Sequence, residues 1–414
     1  MNIALRNISQ LVTVSACGKK MKRGNEMREL GIMENAGIIS ETGKIAWRGT
    51  MSDFPKNISD DMEILDCENC VVMPGFIDAH THLIFGGSRE NEFAMRANGM
   101  SYQEIATRGG GIVNTVEHTR NATKKVLKKR ARHFLLQMLK HGTTTVETKS
   151  GYGLDFNNEI KLLECARELQ REELSTVIST FLGAHAIPKE FKERKNDYVQ
   201  LVIEEMLPYV GEKNLAEFCD VFCETNYFSL EESQKILLAA KHYGMKLKLH
   251  AEELTNLGGT ELAADLQATS VDHLEHISET GIRALQNSQT VAVLLPGVSF
   301  FLNHPFAPAR ALIDANIPVA IASDFNPGSC MSYSMPLMMT IACTQMQMTP
   351  EEAIVASTLN AAAAIDRSET LGSLDVGKNA DLLVLAIPNY QFLMYHFGEN
   401  HVRNVIKNGT HLEF

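Results

Sequence analysis

From residue 71 onward, short β-rich runs alternate with longer stretches of helical periodicity. This alternation favours a parallel sheet, because each crossover helix returns the chain to the same end of the sheet. Eight such units predict a closed (β/α)8 barrel, the TIM barrel of the α/β class. The β-rich runs cover residues 71–82, 143–149, 176–185, 217–224, 245–250, 270–276, 290–297 and 318–325, and helical periodicity covers 120–141, 157–173, 230–243 and 305–315.

The two ends of the chain have a different pattern, in which short alternating strands lie between turn residues. GKIAWRG (43–49) shows this pattern near the N-terminus, and NVIKNG (404–409) shows it near the C-terminus. Neither end is large enough for a robust core alone, so we expect the two ends to pair into one small β-sandwich beside the barrel. The predicted domains are therefore 1–70 and 366–414 for the two parts of the sandwich, and 71–365 for the barrel.

Charge and composition exclude several kinds of partner. Asp and Glu total 50 against 39 Lys and Arg, which gives a formal net charge of −11 and argues against nucleic acid. No run approaches the roughly 18 apolar residues of a membrane span, and the N-terminus has neither a basic leader nor a cleavage site. We expect a cytoplasmic protein with its eight cysteines reduced. An anionic substrate would need a local arginine.

Two histidines separated by one residue close the first β-rich run, in PGFIDAHTH (74–82). On a strand, residues i and i+2 point to the same face, so His80 and His82 can reach one cation from a rigid support. Taken alone, such a pair is more often a solvent-facing feature of a strand end. The metal hypothesis therefore needs further ligands at matching places in the chain.

Polar side chains recur at the C-terminal ends of the other runs, and these ends meet at one mouth of a barrel. They are Tyr152, His185, Glu224, His250, His273 and Asp324. Together with His80 and His82, the side chains of His250 and Asp324 supply three imidazoles and one carboxylate, a set that suits Zn²⁺ or Fe²⁺. A metal held in this way lowers the pKa of a bound water to near neutral, so we expect hydrolysis.

Two more side chains at this mouth could move protons. Glu253 follows His250 by three residues, and His273 ends the sixth run, so that both would lie beside the metal and next to Asp324. We predict that Glu253, His273 and Asp324 form the catalytic set. A structural alternative remains for two of them, because Glu253 could cap the following helix and His273 could be a hydrogen-bonded core residue.

Several motifs carry a resemblance to a known family. PGFIDAHTH, HAEE (250–253), SDFNPG (323–328) and GSLDVGKNADLLVL (372–385) together resemble the metal-dependent amidohydrolase superfamily. HTHLIFGGSRENEF (80–93), GGGI (109–112), KSGYG (149–153) and FLGAH (181–185) are similar to the branch that opens imidazolone rings in histidine breakdown. The resemblance implies hydrolysis of the cyclic amide of 4-imidazolone-5-propanoate to N-formimidoyl-L-glutamate.

The resemblance also implies roles for individual residues. One Zn²⁺ or Fe ion per chain would be bound by His80, His82, His250 and Asp324. Contacts to the substrate would come from Arg89, Tyr152, His185, Glu253, Asn326, Gly328 and Ser329. The guanidinium of Arg89 would hold the propanoate in a protein of net negative charge. The family likeness further suggests a homodimer.

Other interpretations stay open at this point. A purine or pyrimidine deaminase of the same superfamily would use the same ligands and Glu253, but it would have less use for Arg89. A non-catalytic scaffold would typically have lost ligands, and none is missing here. Binuclear relatives carry a bridging Lys or Glu; this chain has Glu224 and Lys149 near such positions, and we expect a single metal.

Overall fold

The computed structural model describes residues 2–59, 62–100, 104 and 110–414, and its long-range pairing forms two sheets. The strands before the barrel are β1 (Ile3–Val12), β2 (Ile32–Glu41), β3 (Lys44–Thr50), β4 (Glu63–Asp66) and β5 (Val71–Pro74). Those of the barrel are β6 (Phe76–Asp78), β7 (Thr143–Lys149), β8 (Thr176–Ala184), β9 (Phe218–Cys223), β10 (Lys246–Ala251), β11 (Ser270–His273), β12 (Val291–Leu294) and β13 (Val319–Ile321). Three more follow it: β14 (Leu382–Leu385), β15 (Val402–Lys407) and β16 (Thr410–Leu412).

The strands from β6 to β13 pair in chain order, and every pair of neighbours is parallel. This order confirms the predicted TIM barrel. Helices that follow the first strands are α1 (Glu90–Ala97), α2 (Ile112–Asn121), α3 (Lys124–Lys140), α4 (Phe156–Arg171), α5 (Lys195–Leu201), α6 (Leu207–Glu212) and α7 (Leu230–His242). The later ones are α8 (Gly259–Asp265), α9 (Glu279–Gln286), α10 (Pro296–Leu302), α11 (Ala309–Asp314), α12 (Met335–Gln345), α13 (Pro350–Ala356), α14 (Leu359–Ala364) and α15 (Phe392–Tyr395).

The barrel closes just beyond the ends of β6 and β13. Thr81 and Phe325 form a parallel bridge, the backbone N–H of Asp324 donates to the carbonyl of His80 at 3.0 Å, and that of His82 donates to the carbonyl of Phe325 at 2.9 Å. Below this bridge, the Asp78 carboxylate accepts hydrogen bonds from the backbone and hydroxyl of Ser323. Closure therefore brings the first and last strand ends side by side.

Both chain ends build the second sheet, in the order β16-β15-β14-β5-β1-β2-β3, with β4 also paired to β1. Its apolar side chains form a cluster of their own, with Leu5, Ile38, Val72, Leu382 and Ile406 among its members. The predicted small β-domain from both ends is thus present. Hydrogen bonds connect its described strands through β1, which pairs with β2, β4 and β5 and has a register shift between Leu5 and Ile8.

The predicted strand 71–82 is wrong as a single element. Residues 71–74 form β5, which pairs with β1 and β14 in the smaller sheet, and the barrel begins only at β6. Gly75 lies between these two strands. A Cβ added at this position would lie 2.3 Å from the hydroxyl oxygen of Thr144. A continuous apolar run does not reveal such a change of partner. The domain limits 1–70, 71–365 and 366–414 stay a prediction.

Helix boundaries follow capping residues. Ser229 and Glu232 form a capping box at the start of α7, and Thr349 and Glu352 form another at α13. The predicted helix 120–141 is two helices, because Thr123 caps a new helix at residue 124. Among the helices of the described residues, none has the length and hydrophobicity that a membrane span requires.

Candidate active site

Three strand ends deliver the predicted metal ligands to one place. The extended segment after β6 carries His80 and His82, β10 carries His250, and the turn after β13 carries Asp324. The Oδ1 atom of Asp324 lies 3.5 Å from Nε2 of His80 and 3.4 Å from Nε2 of His82. One ligand atom from each of the three histidines also lies within 4.8 Å of the others. The structure brings together all four predicted ligands; their binding of a metal stays a prediction.

The polar atoms at the centre of this cluster fit a cation. Nε2 of His80, Nε2 of His250 and Oδ1 of Asp324 are buried and have no hydrogen-bond partner among the described residues. Buried polar atoms are rarely left without a partner, and a cation bound among the predicted ligands would satisfy these three. Burial also raises the pKa of Asp324 to about 8, so a nearby cation is needed to keep the carboxylate ionised at neutral pH.

Two buried carboxylates fix the imidazoles from behind. Nδ1 of His80 lies 2.6 Å from Oδ2 of Asp272, and Nδ1 of His250 lies 3.0 Å from Oδ1 of Asp220. A proton on each Nδ1 leaves each Nε2 lone pair directed at the cluster. Burial lowers the pKa of His80 and His250, so both rings are neutral and able to bind a metal.

The sequence reasoning missed the role of Asp220. The residue lies in EFCDVFCE, which reads as an apolar core strand, and only the alternation along β9 could have shown that Asp220 shares a face with Phe218 and Phe222 inside the barrel. The role of Asp272, which directly precedes His273, was missed as well. Neither carboxylate has a sequence spacing that predicts its histidine partner, because each pairing crosses between strands.

His273 lies between two carboxylates. Its Nε2 is 3.5 Å from Oε2 of Glu253 and its Nδ1 is 3.6 Å from Oε2 of Glu275. Burial alone would lower the pKa of His273, but the two carboxylates raise it to about 10. The backbone of His273 has a φ of +86°, a left-handed conformation that is costly for a non-glycine residue and often marks a functional site. Glu275, which the sequence reasoning missed, follows in DHLEH (272–276).

The structural alternative for Glu253 does not hold, because its neighbour Glu252 caps α8. The Glu252 carboxylate accepts hydrogen bonds from the backbone N–H groups of Gly258, Gly259 and Thr260. The side chain of Glu253 lines the cavity instead. Burial raises its pKa, whereas the adjacent His273 lowers it.

Glu224, the other carboxylate at a strand end, is hydrogen-bonded to the neighbouring backbone. Its Oε2 accepts hydrogen bonds from the backbone N–H groups of Leu254 and Thr255, at 2.9 and 3.1 Å. These bonds anchor the segment that follows Glu253. Both carboxylate oxygens of Glu224 therefore have hydrogen-bond partners in this segment and its surroundings.

One cavity is lined by all seven residues predicted to contact substrate. They are Arg89, Tyr152, His185, Glu253, Asn326, Gly328 and Ser329. His82, His250, His273 and Asp324 line the same cavity. Three of the four predicted metal ligands, His82, His250 and Asp324, therefore face the same space as the predicted substrate contacts. Gly109, part of the GGGI motif, lies outside the described residues.

Arg89 is held at the wall of this cavity by Glu92. Nε and Nη2 of Arg89 donate to Oε2 of Glu92 at 2.9 and 2.7 Å, and the other Glu92 oxygen accepts from the backbone N–H of Gly111 at 3.1 Å. Nη1 of Arg89 packs over Gly328, where an added Cβ would lie only 2.0 Å away. Because Gly328 has no side chain, the guanidinium of Arg89 can occupy this space. The sequence reasoning missed Glu92, which lies three residues after Arg89 on the first turn of α1.

The remaining wall is formed by rings and by one turn. The imidazoles of His82 and His185 stack with centroids 4.9 Å apart, and the Tyr152 ring lies 5.4 Å from that of His185. Burial lowers the pKa of His185 to about 3, so its ring is neutral. Oδ1 of Asn326 accepts from the backbone N–H groups of Gly328 and Ser329, both at 2.8 Å, and this closes the turn.

Comparison with known proteins finds relatives that match nearly the whole chain. The model of the amidohydrolase family matches residues 71–412. An imidazolonepropionase of Clostridium tetani is 49% identical over 410 residues, covering 99% of this chain and 97% of that protein. An imidazolonepropionase of Parabacteroides distasonis is also 49% identical, covering 98% of each chain.

Solved structures share the fold at low identity. An adenosine deaminase from Xanthomonas campestris with bound zinc has a TM-score of 0.74 at 16% identity, covering 99% of this chain and 92% of that one. The atrazine chlorohydrolase of Arthrobacter aurescens complexed with zinc also has a TM-score of 0.74, at 17% identity, covering 99% and 95%. These likenesses concern the architecture alone.

Proposed function

Because this chain belongs to the imidazolonepropionase family of amidohydrolases, we propose that it hydrolyses 4-imidazolone-5-propanoate to N-formimidoyl-L-glutamate. The observation that carries the proposal is the shared cavity, which is lined both by Arg89 and by the proposed ligands His82, His250 and Asp324. The first suits a carboxylate and the second suits a metal beside an amide. The proposed reaction adds one water, breaks the ring C–N bond, leaves a carboxylate on the former carbonyl carbon and returns a proton to the ring nitrogen.

The proposed metal site consists of His80, His82, His250 and Asp324 and holds one Zn²⁺ or Fe ion. When bound, such an ion polarises the amide carbonyl and lowers the pKa of a water. The chain's own contribution is to present neutral imidazole nitrogens, which Asp272 and Asp220 orient through the opposite ring atoms. A single ion is supported by Glu224, whose hydrogen bonds lie elsewhere.

The substrate's propanoate would pair with the guanidinium of Arg89, which keeps its hold on Glu92 through Nε and Nη2 and offers Nη1. Tyr152, His185 and the turn of Asn326, Gly328 and Ser329 would enclose the ring in the same cavity. Binding the propanoate away from the reacting carbonyl fixes the amide in one orientation.

Glu253 and His273 would share the proton transfers, because their side chains face each other at 3.5 Å and both line the cavity with Asp324. One takes a proton from the attacking water, and the other delivers a proton to the departing ring nitrogen. Asp324, already a proposed ligand, completes the catalytic set.

Substituting Glu253 by Gln tests this assignment. The variant keeps the size of the side chain and removes its basic oxygen, so we expect kcat to fall by about 10²–10⁴-fold with unchanged metal content. Glu231→Gln, on the exposed surface of α7, is the matched control and should turn over normally. Full activity of Glu253→Gln would remove the residue from the mechanism.

The activity itself is tested by an assay on 4-imidazolone-5-propanoate with protein of known metal content, in parallel with ammonia release from guanine, adenosine and cytosine. Hydrolysis of the imidazolone with no ammonia release is expected. The opposite result would identify a deaminase. A protein that has no activity after loading with zinc or iron would revive the scaffold interpretation.

We also propose a cytoplasmic location and a homodimer. All eight cysteines lie among the described residues and are free thiols, as expected in a reducing compartment. The dimer rests on the family likeness, and sedimentation at micromolar concentration would test it.

A further inference from the structure

Five charged side chains fill the barrel interior beneath the imidazoles of His80 and His250. They are Glu147, Lys149, Asp220, Lys248 and Asp272, and all are buried. A barrel of this type ordinarily packs its interior with branched apolar residues. Buried charges cost free energy unless they are well paired, so this cluster calls for a role besides stability.

A single ammonium group connects the two carboxylates that hold the metal-binding histidines. Nζ of Lys149 lies 2.8 Å from Oδ2 of Asp220 and 3.5 Å from Oδ2 of Asp272. The other oxygen of Asp220 contacts Nδ1 of His250, while the same oxygen of Asp272 contacts Nδ1 of His80. The chain of contacts therefore runs from His80 through Lys149 to His250, across the barrel from β6 to β10.

We propose that Lys149 is a positioning residue that fixes the imidazoles of His80 and His250 together, through Asp272 and Asp220, and so sets the affinity and geometry of the metal site. The inference rests on the metal site of the proposed function. The Lys149 ammonium donates hydrogen bonds to Glu147 at 2.9 Å and to Asp220 at 2.8 Å, and it forms an ion pair with Asp272 at 3.5 Å. Without this cation, Asp220 and Asp272 would repel each other and lose their common anchor.

The neighbouring Lys248 provides the matched control. It is as buried as Lys149, and its Nζ lies 3.1 Å from the carbonyl of Ala364, 3.5 Å from that of Ala79 and 3.9 Å from Asp272. Among the described residues, no ion pair joins it to Asp220. Removing its charge would disturb the barrel interior without removing the connection between the two histidines.

The experiment measures the affinity of metal-free protein for Zn²⁺ by competition with a chromophoric chelator, and records the visible spectrum of the Co²⁺-substituted protein. For Lys149→Met we expect Zn²⁺ affinity to fall by about 10–100-fold and the Co²⁺ bands to shift, as when the partner of a ligand is removed. Lys248→Met is expected to lower the melting temperature but to keep the wild-type Co²⁺ spectrum and an affinity within about threefold of wild type, below the loss for a ligand's partner.

The outcomes separate the inference from the proposed function. Wild-type protein that binds neither metal would overturn the proposed site itself. Wild-type binding with equal affinity for Lys149→Met, or equal losses in the two Met variants, would overturn only the role of Lys149. If Lys149→Met does not fold, Lys149→Arg and Lys149→Gln are compared instead. Arg keeps the cation and should retain the higher affinity; the reverse order overturns the inference.

Discussion

The part of the barrel interior beneath the site and the smaller sheet bury opposite kinds of side chain. Beneath the site, the barrel holds two lysines and three carboxylates, whereas the sheet built from the chain ends holds an apolar cluster that includes Leu5, Ile38 and Leu382. Apolar burial stabilises a fold directly, at about 25 cal/mol per Å². Buried ion pairs roughly break even at best. This difference supports the proposed orienting role of the charged barrel interior, while the apolar cluster of the sheet contributes to stability.

Removing a proposed metal ligand should have the largest effect, and it tests whether the polar barrel interior serves the site. His250→Ala takes away one imidazole, so we expect loss of bound metal and a fall in activity of more than about 10³-fold, equivalent to roughly 4 kcal/mol of transition-state stabilisation. Metal content by elemental analysis and kcat on the imidazolone check this. His242→Ala, at the exposed end of α7, is the control and should match wild type.

A metal-free His250→Ala protein should still melt cooperatively, since the apolar cores are untouched. If the variant retains a full equivalent of tightly bound metal, the proposed ligand set is wrong. If the variant does not fold at all, the polar groups inside the barrel contribute strongly to stability, and the contrast with the apolar sheet is wrong.

The apolar interior is tested by Leu5→Ala in β1. Leu5 is fully buried in the cluster of the smaller sheet, so we expect the free energy of unfolding to fall by about 3 kcal/mol, with kcat and metal affinity unchanged. Chemical denaturation measures the free energy of unfolding. The imidazolone assay measures kcat, and competition with a chelator measures metal affinity. Ile64→Ala in β4, where the side chain is 44% exposed, should cost less than about 1 kcal/mol. A large loss of kcat in Leu5→Ala would show that the sheet supports the site as well as the fold.

Much of the fold could be predicted from the sequence because its period is local. Eight β-rich runs, the polar groups at their C-terminal ends and the spacing of His80 and His82 are all visible along the chain, and the barrel follows from them. The sequence does not show that Val71–Pro74 (β5) belongs to the smaller sheet. This strand is as apolar as β6, which begins the barrel. Only its partners in β1 and β14 distinguish the two strands.

The site, too, has residues that the sequence predicts and residues that it does not. Strand-end residues such as His250 and Asp324 could be predicted, since the topology of a barrel gathers them without further information. The groups behind them could not, because Asp220 and Lys149 act through contacts between strands that lie 71 residues apart in the chain. Glu92 was missed for a related reason: on sequence alone it is an ordinary helix-start carboxylate, and only the position of Arg89 makes it a partner.

The smallest effect is expected where charges meet at the surface. Glu168 of α4 lies between Lys124 and Lys128 of α3, at 3.0 and 2.9 Å, and all three side chains are about one third exposed or more. Water and salt screen such pairs, so Glu168→Gln should lower the free energy of unfolding by only about 0.5 kcal/mol at pH 7 and low salt.

The pH dependence of this difference identifies its origin. Hydrogen bonds from Lys128 and Lys124 lower the pKa of Glu168 in the folded protein, so its contribution is present above the ordinary carboxyl pKa and is lost as the pH falls below roughly 4. The gap between Glu168→Gln and wild type should therefore close in acid and in high salt, while Glu193→Gln, an exposed carboxylate outside this group, shows no gap. If the difference in the free energy of unfolding persists in high salt, surface ion pairs in this protein contribute to stability as buried ones do. The contrast between the charged barrel interior and the apolar sheet would then reflect burial alone.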